Sequence, residues 1–131
     1  MKHTTAIPDT GVVVCYLIGG GGVLFDKAKD FFDKVMIGDT RAIILESVVV
    51  ESIHVLTKVY GADRLEAARS MAGLLQYRGV VNQDRKTIVE ALELFGKKNL
   101  GIVDCILRAK SIEAHAELFS LNGKWLETRQ G

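Results

Sequence analysis

Apolar and polar positions along this chain follow two periods, and the switches between them mark out its elements. Residues 4–7 and 41–45 are short β-rich runs, and residues 78–81 and 116–121 are two further strand candidates. Between them the spacing turns helical. From 23 to 36, Leu24, Phe25, Ala28, Phe31, Phe32 and Val35 are apolar. Asp26, Lys27, Lys29, Asp30, Asp33 and Lys34 fill the other face. That is the i, i+3, i+4, i+7 spacing of an amphipathic helix. Further helices are predicted over 12–18, 48–60, 63–76, 84–98 and 102–113. Asp9 or Thr10 can cap the helix over 12–18, Ser47 that over 48–60 and Asp63 that over 63–76, because a short side-chain oxygen accepts from the free N–H groups of a first turn. The Gly19–Gly22 run ends the helix over 12–18 and Gly61 that over 48–60.

Strands that alternate with helices imply parallel pairing through helical crossovers. The predicted fold is therefore α/β, a three-layer α/β/α sandwich around a short, mostly parallel central sheet. No repeat, low-complexity tail or linker interrupts the 131 residues. A single domain over 1–131 is the expectation. Sheets of this kind bind ligands beyond the carboxyl ends of their strands. Asp9, Glu46 and Asn122 each follow a predicted strand there.

Charge narrows the function classes. With 17 basic and 16 acidic residues the formal net charge is +1. No bulk positive field attracts nucleic acid, so any such surface must be local. Arg41, Lys58, Arg78, Lys97, Lys98, Arg108, Lys110 and Lys124 are among the cations that could build it, most of them expected as ordinary solvated surface. The two cysteines, Cys15 and Cys105, stand far apart with no CxxC pairing or flanking histidines, which points to buried thiols and away from a zinc site. The most apolar run, 11–25, is shorter than the roughly 20 residues of a membrane span and is broken by glycines. Asp9 precedes it and no A-x-A cleavage site follows, so a cytoplasmic protein without a membrane segment is expected.

Two carboxylates stand out. Glu51 lies in Val48-Val49-Val50-Glu51-Ser52-Ile53, and Asp104 in Leu100-Gly101-Ile102-Val103-Asp104-Cys105-Ile106-Leu107. A charge in so apolar a helical segment must be paired, or must face a cleft or a metal. For Asp104 a pairing partner is at hand in Arg108, four residues on. Asp9 alone is explained equally well as a helix cap. Other signals fail. The glycine run lacks the Gly-Lys-Ser/Thr of a phosphate loop. Glu51-x-x-His54 has no second copy to make a di-iron site, and His54 reads as a packed or surface histidine. Neither Ser47 nor Ser52 sits in a Gly-x-Ser-x-Gly elbow.

Four segments taken in order closely resemble the PIN-domain family, which includes the VapC-type toxin ribonucleases of toxin–antitoxin modules. They are Ile7-Pro8-Asp9-Thr10, Ser47 to Leu56 around Glu51, Leu100 to Leu107 around Asp104, and Leu118-Phe119-Ser120-Leu121-Asn122. The resemblance implies that Asp9, Glu51 and Asp104 form an acidic triad in one pocket. That triad would hold Mg²⁺, or Mn²⁺, for cleavage of RNA phosphodiester bonds. Thr10 and Ser120 match the small hydroxyl residues of the first and last motifs. The chain departs from the pattern at Asn122, where many members carry a fourth acid, and at Gly11, where Asn is common. Asn122 offers a carbonyl oxygen but no charge, so one or two metals both remain open, with Glu46 as a substitute charge. The resemblance also implies an antitoxin protein partner and a homodimer. A PIN-like module that binds RNA or protein without cutting is the alternative. A different doubly wound domain for a small anionic ligand is a third reading.

Overall fold

The structure, a computed structural model, describes residues 4–121. β1 (Thr5–Ala6) and β2 (Arg41–Ala42) pair in parallel, Thr5 opposite Arg41 and Ala6 opposite Ala42. The crossover between them carries α1 (Thr10–Ile18) and α2 (Val23–Ile37). On the far side of β2 an isolated parallel bridge joins Ala42 to Val80, so β2 is central. The strand predicted over 78–81 is reduced to this bridge. The architecture is the predicted one, a short parallel sheet layered between helices, with helix far outweighing strand.

Side chains take over where the sheet runs out. The Asn82 Nδ2 donates to the Ile44 carbonyl at 2.6 Å, and the Ile44 N–H donates to Asn82 Oδ1 at 2.9 Å. A primary amide offers the same donor and acceptor as a peptide group. Asn82 therefore adds one more ladder step beside β2 without any strand. Close approach on the same side requires Gly79: a Cβ there would stand 2.2 Å from the Thr40 carbonyl oxygen and 2.7 Å from that of Val35.

The remaining helices are α3 (Glu46–His54), α4 (Arg64–Leu75), α5 (Arg85–Lys97) and α6 (Ile102–Ala114). Phe32, Ile44, Ile53, Met71, Leu75, Ile88 and Leu92 are among the fully buried side chains, so one core draws on β2 and helices on both sides of it. Several boundaries differ from expectation. Ser47 does not cap α3. Leu45 holds the N-cap position in an extended conformation, its carbonyl accepts from Val48 and Val49, and Ser47 lies inside the first turn. Asp63 and Asp84 stand at the N-caps of α4 and α5 but cap neither with a side chain. The helix expected to run to residue 60 is α-helical only to His54. Val55–Val59 form a π-helical turn, and the chain turns away at Gly61, whose φ is +71°.

The last predicted strand, 116–121, is irregular. His115 takes a left-handed conformation with φ 53°, the Ala116 N–H bonds back to the Ser111 carbonyl, and the Ser111 hydroxyl donates to the Ala116 carbonyl at 2.5 Å. Both backbone groups of Ala116 are thus consumed by the helix end, an alternative to a sheet ladder. Phe119 and Leu121 are 86% and 95% exposed, so the apolar content of this run does not reflect burial in a sheet.

One guanidinium fixes the path between α5 and α6. The Arg64 Nη2 donates to the carbonyls of Phe95, Lys98 and Leu100, at 2.9, 2.7 and 2.5 Å. Its carbon lies 3.8 Å from the centre of the Phe95 ring. These carbonyls sit at and beyond the C-terminus of α5, where a cation is favoured.

Two outcomes follow. Asn82→Ala leaves both Ile44 backbone groups unsatisfied and is expected to lower unfolding free energy by about 2–3 kcal/mol in urea denaturation. Cys105 is buried and Cys15 partly exposed. Burial pushes the Cys105 thiol up to about 11, so it stays protonated at pH 8 and below. A thiol-reactive chromophore at pH 8 should label one cysteine in the native protein and two after denaturation.

Candidate active site

The chain leaves β1 through the exposed Ile7 and the buried Pro8, and Asp9 follows beyond the strand's carboxyl end. Its backbone is extended, and its Oδ1 accepts from the Val12 N–H at 2.9 Å, capping α1. The other oxygen, Oδ2, takes no hydrogen bond among the described residues. Thr10 opens α1, and its hydroxyl donates to Glu51 Oε1 at 2.5 Å. This contact spans from α1 to α3 and fixes one oxygen of Glu51.

Asp104 stands in the first turn of α6, where the helix N-terminus favours a negative charge. It is half-buried and makes no ion pair with Arg108; the covered Arg108 Nη1 has no hydrogen-bond partner among the described residues. The pairing that would have explained Asp104 away does not form. Glu51 is exposed. Neither carboxylate is buried in the core, and both open onto one cavity of about 730 Å³. Ser47 and His54 supply its other polar side chains, and Val50, Ile102 and Val103 its apolar wall.

Asp9 opens elsewhere. It lines a separate cavity of about 530 Å³ walled by Ile7, Val12, Leu24 and Phe31, with Lys27 as the other charge. The structure therefore brings Glu51 and Asp104 together and joins Thr10 to Glu51. Asp9 connects to them through its neighbour Thr10. Among the described residues no three Asp, Glu, His or Cys side chains are arranged to hold a metal ion. Ser120 lies in the irregular segment after α6, and Asn122 lies outside the described residues.

Glu46 is occupied otherwise. Lys110 Nζ stands 3.4 Å from its Oε1 and 3.3 Å from Asp84 Oδ2. Asp84 Oδ1 in turn accepts from Asn82 Nδ2 at 3.2 Å. Asp84, expected only to begin α5, thus ties α6 to the sheet clamp. Glu46 and Asp84 line a third cavity, of about 460 Å³.

The oxygen donors at the Glu51–Asp104 cavity, two carboxylates and the Ser47 hydroxyl, suit Mg²⁺ or Mn²⁺, and the His54 imidazole stands on the same cavity. Neither acid has a basic partner within ion-pair distance among the described residues. That leaves two negative charges on one cavity without compensation, a pair whose charge suits a divalent cation but which falls short, among the described residues, of the three-acid cluster the resemblance implies. His54 was read from sequence as a packed or surface side chain. It is exposed, and its place three residues after Glu51, one helical turn on, was the signal that could have put it on the same cavity.

The PIN-domain family model matches residues 6–130. The chain belongs to the PIN-domain family. PIN domains are generally nucleases, hydrolases of phosphodiester bonds that process nucleic acid and typically bind divalent metals. No curated protein and no solved structure matches the chain.

Stability separates the acids that build from those that do not. Asp9→Ala removes a cap and should lower unfolding free energy by about 1 kcal/mol. Asp104→Asn removes no hydrogen bond and should stay within about 0.5 kcal/mol of wild type in the same urea titration.

Proposed function

We propose that this protein is a divalent-metal-dependent endoribonuclease, with Asp9, Glu51 and Asp104 as its acidic residues. The observation that carries the reading is the pair Glu51 and Asp104, open on one cavity in a chain of a nuclease family. Both acids lack a basic partner, and each leaves at least one oxygen unbonded. Two such charges repel one another and repel a phosphate, so they are useful only with a cation between them and the substrate.

Glu51 and Asp104 would hold that cation, and Asp9, which opens onto the neighbouring cavity and reaches Glu51 through Thr10, would be the third acid of the site. When bound, Mg²⁺ or Mn²⁺ there supplies neutralisation of charge at the phosphate and activation of a water. The rest is done by the chain itself. The Thr10 hydroxyl donates to Glu51 Oε1 and so restrains the side chain, leaving its second oxygen without a hydrogen bond among the described residues. The Asp9 cap fixes the start of α1 and so places Thr10. Arg64 anchors the Leu100 carbonyl, two residues before α6 begins, and so sets where Asp104 stands. Asn122 and Ser120 would complete the site from the C-terminal side, in supporting contact with the metal. On this reading RNA is the substrate. A toxin role, with a protein antitoxin that covers the cavity and a homodimeric nuclease, belongs to the same proposal.

Cleavage of mixed RNA should require Mg²⁺ or Mn²⁺ and stop with chelator. Asp104→Asn and Glu51→Gln should each reduce it by more than about 100-fold, because even residues that only orient metal ligands contribute about 10–100-fold. Thr10→Val, which orients Glu51, should fall within that 10–100-fold range. Equal cleavage by wild type and Asp104→Asn would mean a contaminating nuclease and defeat the proposal. RNA bound by wild type but never cut would favour a non-catalytic binding module.

A further inference from the structure

The cavity shared by Glu51 and Asp104 is larger than its acids require. A hydrated divalent cation with six waters occupies about 200 Å³, at about 30 Å³ per water. The cavity is a broad, open groove of about 730 Å³, several times the volume of such an ion. The surplus is bounded by Val50, Ile102 and Val103, and Val103 is 52% exposed. Such a wall offers nothing to a phosphate or a cation. It suits the flat apolar face of an aromatic ring.

We propose that this apolar side of the cavity is a nucleobase subsite, with His54 as the side chain that contacts the base. The inference rests on the ribonuclease reading and names which part of the substrate enters beside the acids. His54 follows Glu51 by three residues on α3, a rise of about 4.5 Å, so a group touching both is no longer than one nucleotide. Its imidazole makes no hydrogen bond or ion pair among the described residues; only its backbone carbonyl accepts, from the Thr57 hydroxyl. It is therefore free to stack on a base or to hydrogen-bond its edge. The Val50, Ile102 and Val103 wall beside His54 offers a phosphate no donor, whereas a neutral base can lie against it.

The substrate class follows from access. In an A-form duplex the bases are paired and stacked, and a cavity cannot receive one. Single strands can turn a base out onto an apolar or aromatic surface. The subsite can therefore receive only an unpaired base.

The test measures binding by fluorescence anisotropy, in Ca²⁺ with a gel to confirm intact strands. Three nine-residue RNAs serve as probes: oligoadenylate, a fully abasic strand of the same length, and an oligoadenylate–oligouridylate duplex. Stacking of one base contributes about 1–3 kcal/mol, so wild type should bind oligoadenylate about tenfold or more tighter than the abasic strand, and the duplex no better than the abasic strand. His54→Ala should remove most of the difference between oligoadenylate and the abasic strand, and His54→Phe should restore it through stacking. Equal binding of both single strands by wild type overturns the subsite while leaving the ribonuclease reading intact. A difference that persists undiminished in His54→Ala overturns the role of His54. Absence of binding to every probe by wild type defeats the ribonuclease reading and the subsite with it.

Discussion

The amide of Asn82 on the backbone of Ile44 is the contact from which the site's geometry descends. The named strands contribute only four residues of sheet, too little to hold the helical crossovers in register. Asn82 lengthens the ladder beside the central strand and does so at the point where the chain turns into α3. The same amide reaches Asp84, which holds Lys110 of α6, which in turn reaches Glu46 at the start of α3. One side chain thus couples the strand ends to both helices that carry the acids. The arrangement is polar and half-buried, where hydrogen bonds to charged groups are worth more than those in open water.

A second constraint sets the other end of the acid pair. Three carbonyls beyond α5 converge on Arg64, which also lies over Phe95. Carbonyls at a helix C-terminus have no partner within the helix. Using one cation to satisfy them fixes the turn that launches α6, and with it the direction in which Asp104 points. The catalytic reading therefore leans on two non-acidic residues that never face the cavity.

Much of this could be read from the sequence, for identifiable reasons. The helices were legible because their apolar spacing is strong, and α2 runs within one residue of its expected span. Asp9 as a cap and Glu51 with Asp104 as cleft residues were legible because charges in apolar segments have few physical options. What was missed depends on contacts distant in sequence. Nothing local announces that Asn82 substitutes for a strand, 38 positions from Ile44. The run 116–121 has strand composition, but the helix end takes up the backbone groups of Ala116. Ser47 looked like a cap because capping chemistry is common to serine, whereas Leu45 already supplies the entry geometry. His54 escaped because a lone histidine on a helix has many uses.

The π-helical turn at Val55–Val59 has a consequence for how this site can change over time. A π-turn holds one residue more than the α-turn it replaces, so the stretch after His54 is rotated in phase against the half of α3 that carries Glu51 and His54. That extra residue works as a phase adjuster. It lets Leu56 stay in the core and α4 dock where it must, while the cavity-facing residues keep their own register. The two halves of the helix are free to drift separately: changes in the α4 connection need not turn Glu51 away from the cavity. Selection can then alter the wall around the acids without disturbing the scaffold behind them.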